Sequence, residues 1–452
     1  MTDTPLTILA TAFHTPARGA FEVLENHLFT VDGQGRIGAV LPPGHPEFSA
    51  RKAQAEREGT LTVLAEGQYL LPGLIDLHVH APQWPQMGKA LDVPLEVWLQ
   101  KYTFPLEARF ADLDYAREVY AELVDGLLAN GTTTALYFAT VHGPASLALA
   151  EICLEKGQRA LVGKVVMDDP EQCPDYYRDA DAQSAVADTR AFIEAVRALD
   201  GGERPLVMPV ITPRFIPSCT DAALSGLGEL VREYGCHVQT HCAESDWAKA
   251  FVEARFGRSD AASLDGFGLL TRGTILAHSN FIDEADMDLI QARGSGVAHC
   301  PLSNLFFADA VFPLRRALER HMHVGLGTDI SGGYSPSLLD GCRHAISSSK
   351  ALQSGVHAHL PREERGAPGA PITHREAFYL ATAGGAEALD LPTGSFRPGH
   401  DFDALVIDTA AARSNVHVNG SDSLDDVFQK IVLNAARADI EKVWVRGRAV
   451  SG

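Results

Sequence analysis

Residues 69–83 read YLLPGLIDLHVHAPQ. An apolar run here stops at two histidines one residue apart, His78 and His80, with turn-forming residues on both sides. A short apolar run bounded in this way reads as a buried β-strand. Because side chains alternate along a strand, both imidazoles point to one face and reach the same point in space. Further apolar runs follow YLLPGLID (69–76): TTTALYF (132–138), LVGKVVM (161–167), LVMPVIT (206–212), HVQTH (237–241), TILAH (274–278), GVAHC (296–300) and VGLGTD (324–329), which makes eight. Stretches of helical spacing separate them, such as ADLDYAREVYAELVDGLLANG (111–131) and TDAALSGLGELVREYG (220–235), ending at Asn-Gly or Gly. Eight strand–helix alternations predict an α/β fold, a parallel (β/α)₈ TIM-type barrel of about 250 residues. The rival, an open doubly wound sheet, lacks a G-x-G-x-x-G turn after its first strand.

The two ends of the chain have a different texture. TILATAF (7–13), FEVLENHLFTV (21–31) and RIGAVL (36–41) alternate in hydropathy, as do DALVID (403–408) and KVWVRGRAV (442–450). Period-2 segments between turn residues predict half-exposed strands. Neither end is long enough for its own core, so the two are expected to pair. The predicted division is a small β-sandwich from residues 1–68 and 386–452 around a barrel at 69–385. Residues 353–372, rich in His, Pro, Gly and charge, read as a surface loop.

Composition narrows the function. The 452 residues are 46% apolar and 21% charged, which excludes disordered, collagen-like and coiled-coil chains. With 38 basic against 58 acidic residues the net charge is −20, which repels phosphate backbones and anionic lipid. A nucleic-acid or membrane partner is therefore not expected, whereas a small neutral or cationic substrate is. No apolar run approaches a membrane span, and MTDTPLTILATAFHTP at the start lacks the pattern of a secretory signal. The seven cysteines are scattered without a C-x-x-C pair, as in a reduced chain. The expected location is cytoplasmic.

In a barrel, chemistry sits at the C-terminal ends of the strands. His78 and His80 end the first run, His241 the fifth, His278 the sixth and Asp329 the eighth. A single His-x-His pair means little, since the 18 histidines of this chain supply roughly 0.7 such pairs by chance. His321-Met-His323 and His357-Ala-His359 are such pairs, at a helix end and in the polar loop. Each strand-end residue also has a plain alternative: the histidines can be hydrogen-bonded core groups, and Asp329 can cap a helix. Their coincidence within one barrel favours a metal site. His and Asp donors suit Zn²⁺ and also admit Fe²⁺. A metal there lowers the pKa of water towards 7. Glu244, three residues after His241, can face that water as a general acid/base, or cap the following helix. Trp84, just beyond the first strand, is a stacking candidate.

PGLIDLHVHAPQ, HCAES, AHSN, HCPLSN and GLGTD, in this order, resemble the amidohydrolase superfamily. HAPQWPQMG (80–88), TPRF (212–215) and GLGTDISGGYSPSLLDGCRHA (325–345) resemble its guanine deaminases more closely, over essentially the whole chain. The resemblance implies that His78, His80, His241 and Asp329 bind one zinc. It implies that Glu244, His278 and Asp329 handle protons, and that Gln83, Arg214, Phe215 and the ligand His241 contact guanine. A planar purine with amide-like edges suits a Gln amide, an Arg fork and an aromatic face. Arg214 can instead pair with a carboxylate, and Phe215 can be core. Binuclear members carry a lysine on the fourth strand; LVMPVIT has none, and Lys164 lies on the third run. One metal is favoured. The implied activity is hydrolytic deamination of guanine to xanthine and ammonia, by a homodimer. The alternatives are a related deaminase or chlorohydrolase acting on another purine, a pterin or a triazine, and a non-catalytic assembly barrel. The retained ligands argue against the last.

Overall fold

The computed structural model describes residues 5–451. The first four residues of the start read above, and Gly452, lie outside it. Five strands come first: β1 (Leu6–His14), β2 (Glu22–Val31), β3 (Ile37–Leu41), β4 (Leu61–Val63) and β5 (Gln68–Pro72). The barrel strands follow as β6 (Leu74–His80), β7 (Thr132–Phe138), β8 (Arg159–Gly163), β9 (Val165–Val166) and β10 (Val207–Pro213). They continue as β11 (His237–Cys242), β12 (Thr274–His278), β13 (Gly296–His299) and β14 (His323–Leu326). The tail adds β15 (Ala404–Asp408), β16 (Ile440–Val445) and β17 (Arg448–Ser451).

The central sheet runs β14-β13-β12-β11-β10-β8-β7-β6, parallel throughout, with β9 pairing β10. The barrel closes between its first and last strands. Asp329 N–H donates to the His78 carbonyl and His80 N–H to the Ile330 carbonyl, each at 2.9 Å. Asp76, buried on β6, reinforces the seam by accepting from Thr328 Oγ1 (2.6 Å), Thr328 N (3.0 Å) and His78 N (3.2 Å). Burial pushes its carboxyl up to about 7, against the pull of those donors. The third run is split in two at Lys164, whose Nζ sits buried 2.6 Å from Asp179 Oδ1 and 3.1 Å from the Val165 carbonyl.

The chain ends build one mixed sheet, β17-β16-β15-β5-β1-β2-β3, with β4 alongside β1. N- and C-terminal segments meet where β15 pairs antiparallel with β5, Ala404 opposite Pro72. This corrects the reading of YLLPGLID as one barrel strand. Its first half, β5, belongs to the terminal sheet, so the handover expected at 68/69 comes at Gly73. Only glycine fits there, because a Cβ would lie 2.2 Å from Thr133 Oγ1. Arg159 of β8 ties the two sheets together through buried pairs with Asp401 (2.8 Å) and Asp403 (2.9 Å). Among the described residues no helix is long and apolar enough to cross a membrane.

Candidate active site

The strand-end residues converge at the C-terminal mouth of the barrel. His80 Nε2 faces His241 Nε2 at 3.0 Å. Asp329 Oδ1 lies 3.2 Å from His78 Nε2 and 3.6 Å from His80 Nε2. His78, His80 and Asp329 form one group able to hold a metal, and His78, His241 and His278 another, with His78 common to both. The decoy pairs stay apart from it: His321 is at the surface with Arg18, and His357 and His359 face each other in an exposed loop.

Electrostatics prepare these groups as donors. Burial lowers the His80 and His241 imidazoles well below their ordinary value, and neighbouring histidines lower them further. His78 is also lowered by burial, partly offset by the Asp329 carboxylate. Burial works to raise Asp329, but His78, His278 and Ser303 outweigh it and hold the carboxyl at about 2. The arrangement is neutral imidazoles around a carboxylate anion. Nδ1 and Nε2 of His78, Nδ1 of His80 and Nε2 of His278 are buried without a hydrogen-bond partner. The Nε2 atoms of His78 and His278, buried without a partner, and the close Nε2 pair of His80 and His241 fit a cation, because two nitrogens on one tetrahedral Zn²⁺ at 2.0–2.1 Å stand roughly 3.3 Å apart.

Two of the four imidazoles have a hydrogen bond that sets their tautomer. His241 Nδ1–H donates to the Arg214 carbonyl at 2.6 Å, which turns a bare Nε2 to the centre. His278 Nδ1–H donates to Asn304 Oδ1 at 2.9 Å. Its Nε2 then points between Glu244 Oε1 (3.6 Å) and Asp329 Oδ2 (3.8 Å). His278 and Asp329 both hold left-handed backbone conformations, φ 68° and 51°. Such conformations cost non-glycine residues on the order of 1–3 kcal/mol and concentrate at functional sites. Burial raises Glu244 above the usual carboxylate range, with Asp329 adding to it and His278 and Arg214 opposing.

A narrow cleft opens onto this cluster, lined by His80, Gln83, Arg214, Phe215, His241, Glu244 and Asp329 and by apolar Leu95, Trp98, Leu99 and Phe307. Trp84 is not part of the lining, contrary to expectation. The 3₁₀ turn Ala81–Gln86 directs its indole onto a flanking helix, where only a glycine, Gly126, leaves room for the ring. Trp98 takes the position against the cleft instead, 4.9 Å from Phe307. Arg214 does pair with a carboxylate: Glu107 Oε2 accepts from it at 2.6 Å. Sequence reasoning missed Glu107, Asn304, Trp98 and Phe307. Only Asn304 left a trace, as the last residue of the quoted HCPLSN; Glu107 meets Arg214 across 107 positions of chain with no local motif.

A barrel with a His-rich, metal-competent cluster at its strand ends has the architecture of an enzyme. The amidohydrolase family matches residues 69–450, and this chain belongs to it. Its relatives include the probable guanine deaminase of Schizosaccharomyces pombe, 40% identical over 97% of this chain and 82% of that protein. The guanine deaminase of Dictyostelium discoideum is 35% identical over 97% of each chain. The structure is similar to that of guanine deaminase from C. acetobutylicum with bound guanine in the active site, with a TM-score of 0.88, 29% identity, and coverage of 99% and 100%.

Proposed function

We propose that this chain hydrolyses guanine to xanthine and ammonia, using one Zn²⁺. The observation that carries the reading is the cleft itself, where Gln83, Arg214 and Phe215 stand beside Glu244 and Asp329. Likeness to guanine deaminases over nearly the whole chain supports it.

His78, His80, His241 and Asp329 would hold the metal, which supplies Lewis acidity and lowers the pKa of water towards 7. The residues then divide the work. Phe215 presents an aromatic wall, with Gln83 and Arg214 offering polar atoms to the edge of the purine. Glu244, raised by burial, takes a proton from the attacking water and delivers it to ring N3 as C2 becomes tetrahedral. His278, oriented by Asn304, and Asp329 hold the water and stabilise charge as it develops. The C2 hydroxyl then gives up the water's second proton, which Asp329 and His278 pass to the amine, and ammonia leaves as C2 becomes a carbonyl. The same reading places the protein in the cytoplasm as a homodimer.

Incubating zinc-loaded protein with guanine, while following xanthine absorbance and ammonia, tests it. Equal release of both supports the reading. Metal-loaded, folded protein that leaves guanine untouched but acts on a pterin or triazine would overturn it.

A further inference from the structure

Glu107 is fully buried and takes no part in the proton transfers above. It ends the short helix Phe104–Glu107 beside the cleft. Its Oε1 accepts from Gln83 Nε2 at 2.8 Å and from one Arg214 terminal nitrogen at 3.1 Å; its Oε2 accepts from the other at 2.6 Å. Phe104, one helical turn earlier, sets its ring 5.0 Å from the guanidinium carbon. One turn of helix therefore cages both side chains that face the edge of the proposed substrate.

Two consequences follow from chemistry alone. A carboxylate only accepts, so Gln83 must turn its NH₂ towards Glu107. Its carbonyl is left to accept the Ser331 N–H at 3.1 Å, and the amide is held from both ends. Gln83 therefore shows the cleft one N–H and one carbonyl lone pair in a fixed order. Arg214, meanwhile, keeps spare N–H donors while its charge is cancelled at contact distance. An uncompensated guanidinium in so buried a place would attract any anionic ring.

We propose that Glu107 is the specificity-positioning residue of this cleft, locking the Gln83 amide and neutralising Arg214 so that a neutral oxopurine is taken and an anionic one refused. The inference rests on guanine being the substrate. It also bears on turnover: exchanging the ring amidine for a lactam makes the product more acidic than the substrate, and an Arg214 already paired with Glu107 holds that product less tightly.

The test compares wild type with Glu107→Gln at neutral pH, with guanine as substrate and urate, an anionic oxopurine, as competitor. Losing the charged hydrogen bonds should raise KM for guanine about tenfold or more with a smaller change in kcat, while the inhibition constant of urate falls about tenfold. Glu107→Asp, which keeps the charge, should remain as insensitive to urate as wild type. A merely structural role would weaken guanine and urate alike, and that result overturns the proposal. If Glu107→Gln does not fold, the charge-balanced double variant Glu107→Gln/Arg214→Gln decides. Its urate-to-guanine ratio should stay within about threefold of wild type, and a tenfold move towards urate would overturn the proposal. Wild type that fails to turn over guanine removes the reading beneath it, whereas wild-type turnover with unchanged variant selectivity removes Glu107 alone.

Discussion

His80 and His241 face each other through their Nε2 atoms at 3.0 Å, in a site where both rings are buried. Two bare nitrogens at that distance repel unless a proton or a cation lies between them, and His241 has its own proton committed to the Arg214 carbonyl. Replacing His241 by Ala should therefore lower bound metal well below one per chain. Activity should fall by more than the 10–100-fold typical of losing an outer partner. Elemental analysis of purified protein beside the guanine assay checks both. Full metal content in the variant would remove His241 from the ligand set.

Glu244 stands 3.6 Å from His278 Nε2 and outside both metal-competent groups. Glu244→Gln should cost on the order of 10²–10⁴ in kcat, the usual worth of a positioned acid/base, and leave metal content intact. Metal loss in this variant would reassign the residue as a ligand.

Asn304 is the acceptor that orients His278. Asn304→Ala frees the ring, and kcat should fall about 10–100-fold at unchanged metal content. Asn304→Asp keeps the acceptor and should recover most of the rate. Equal losses in the two variants would mean that the hydrogen bond is not what matters.

Asp260 gives a stability prediction with a definite sign. Burial, aided by Asp286, raises its carboxyl from 3.8 to about 7, although it accepts the Ala243 N–H at 3.1 Å. Between roughly pH 4 and 7 the unfolded chain releases this proton and the folded chain keeps it. The group's contribution to stability is thus full below about pH 4, declines as pH rises through that window, and levels off above 7. At 1.36 kcal/mol per pKa unit the difference is on the order of 4 kcal/mol. Asp260→Asn keeps the acceptor and removes the titration. Denaturant unfolding from pH 4 to 8 should show a flatter profile for the variant, and parallel profiles would refute the assignment.

Gly73 joins the two sheets where a Cβ would strike Thr133 Oγ1 at 2.2 Å. Gly73→Ala should destabilise by about 1–3 kcal/mol, as overpacking does. Adding Thr133→Ala should restore part of the loss, measured by thermal unfolding. No recovery in the double variant would place the strain elsewhere.

The barrel and the cluster at its mouth were legible in the sequence because both are periodic. Eight apolar runs of strand length, separated by helical stretches, bury their faces by wrapping into a barrel, and the strand ends then meet. Position along the strands brought out His78, His80, His241, His278, Asp329 and Glu244 before any contact was known. Tertiary structure alone decided where Gly73 divides the first run, since that depends on the distance to Thr133 in the neighbouring strand. It decided that Trp84 packs on Gly126 while Trp98 faces the cleft, because a short turn sets an indole's direction through backbone angles that no pattern records. It also paired Glu107 with Arg214 and Gln83, and Asn304 with His278. These are hydrogen bonds between separate elements, with no local motif to announce them. Hydropathy periodicity reports which face of an element is buried; which polar atoms meet once it is buried is fixed by the packing of the whole barrel.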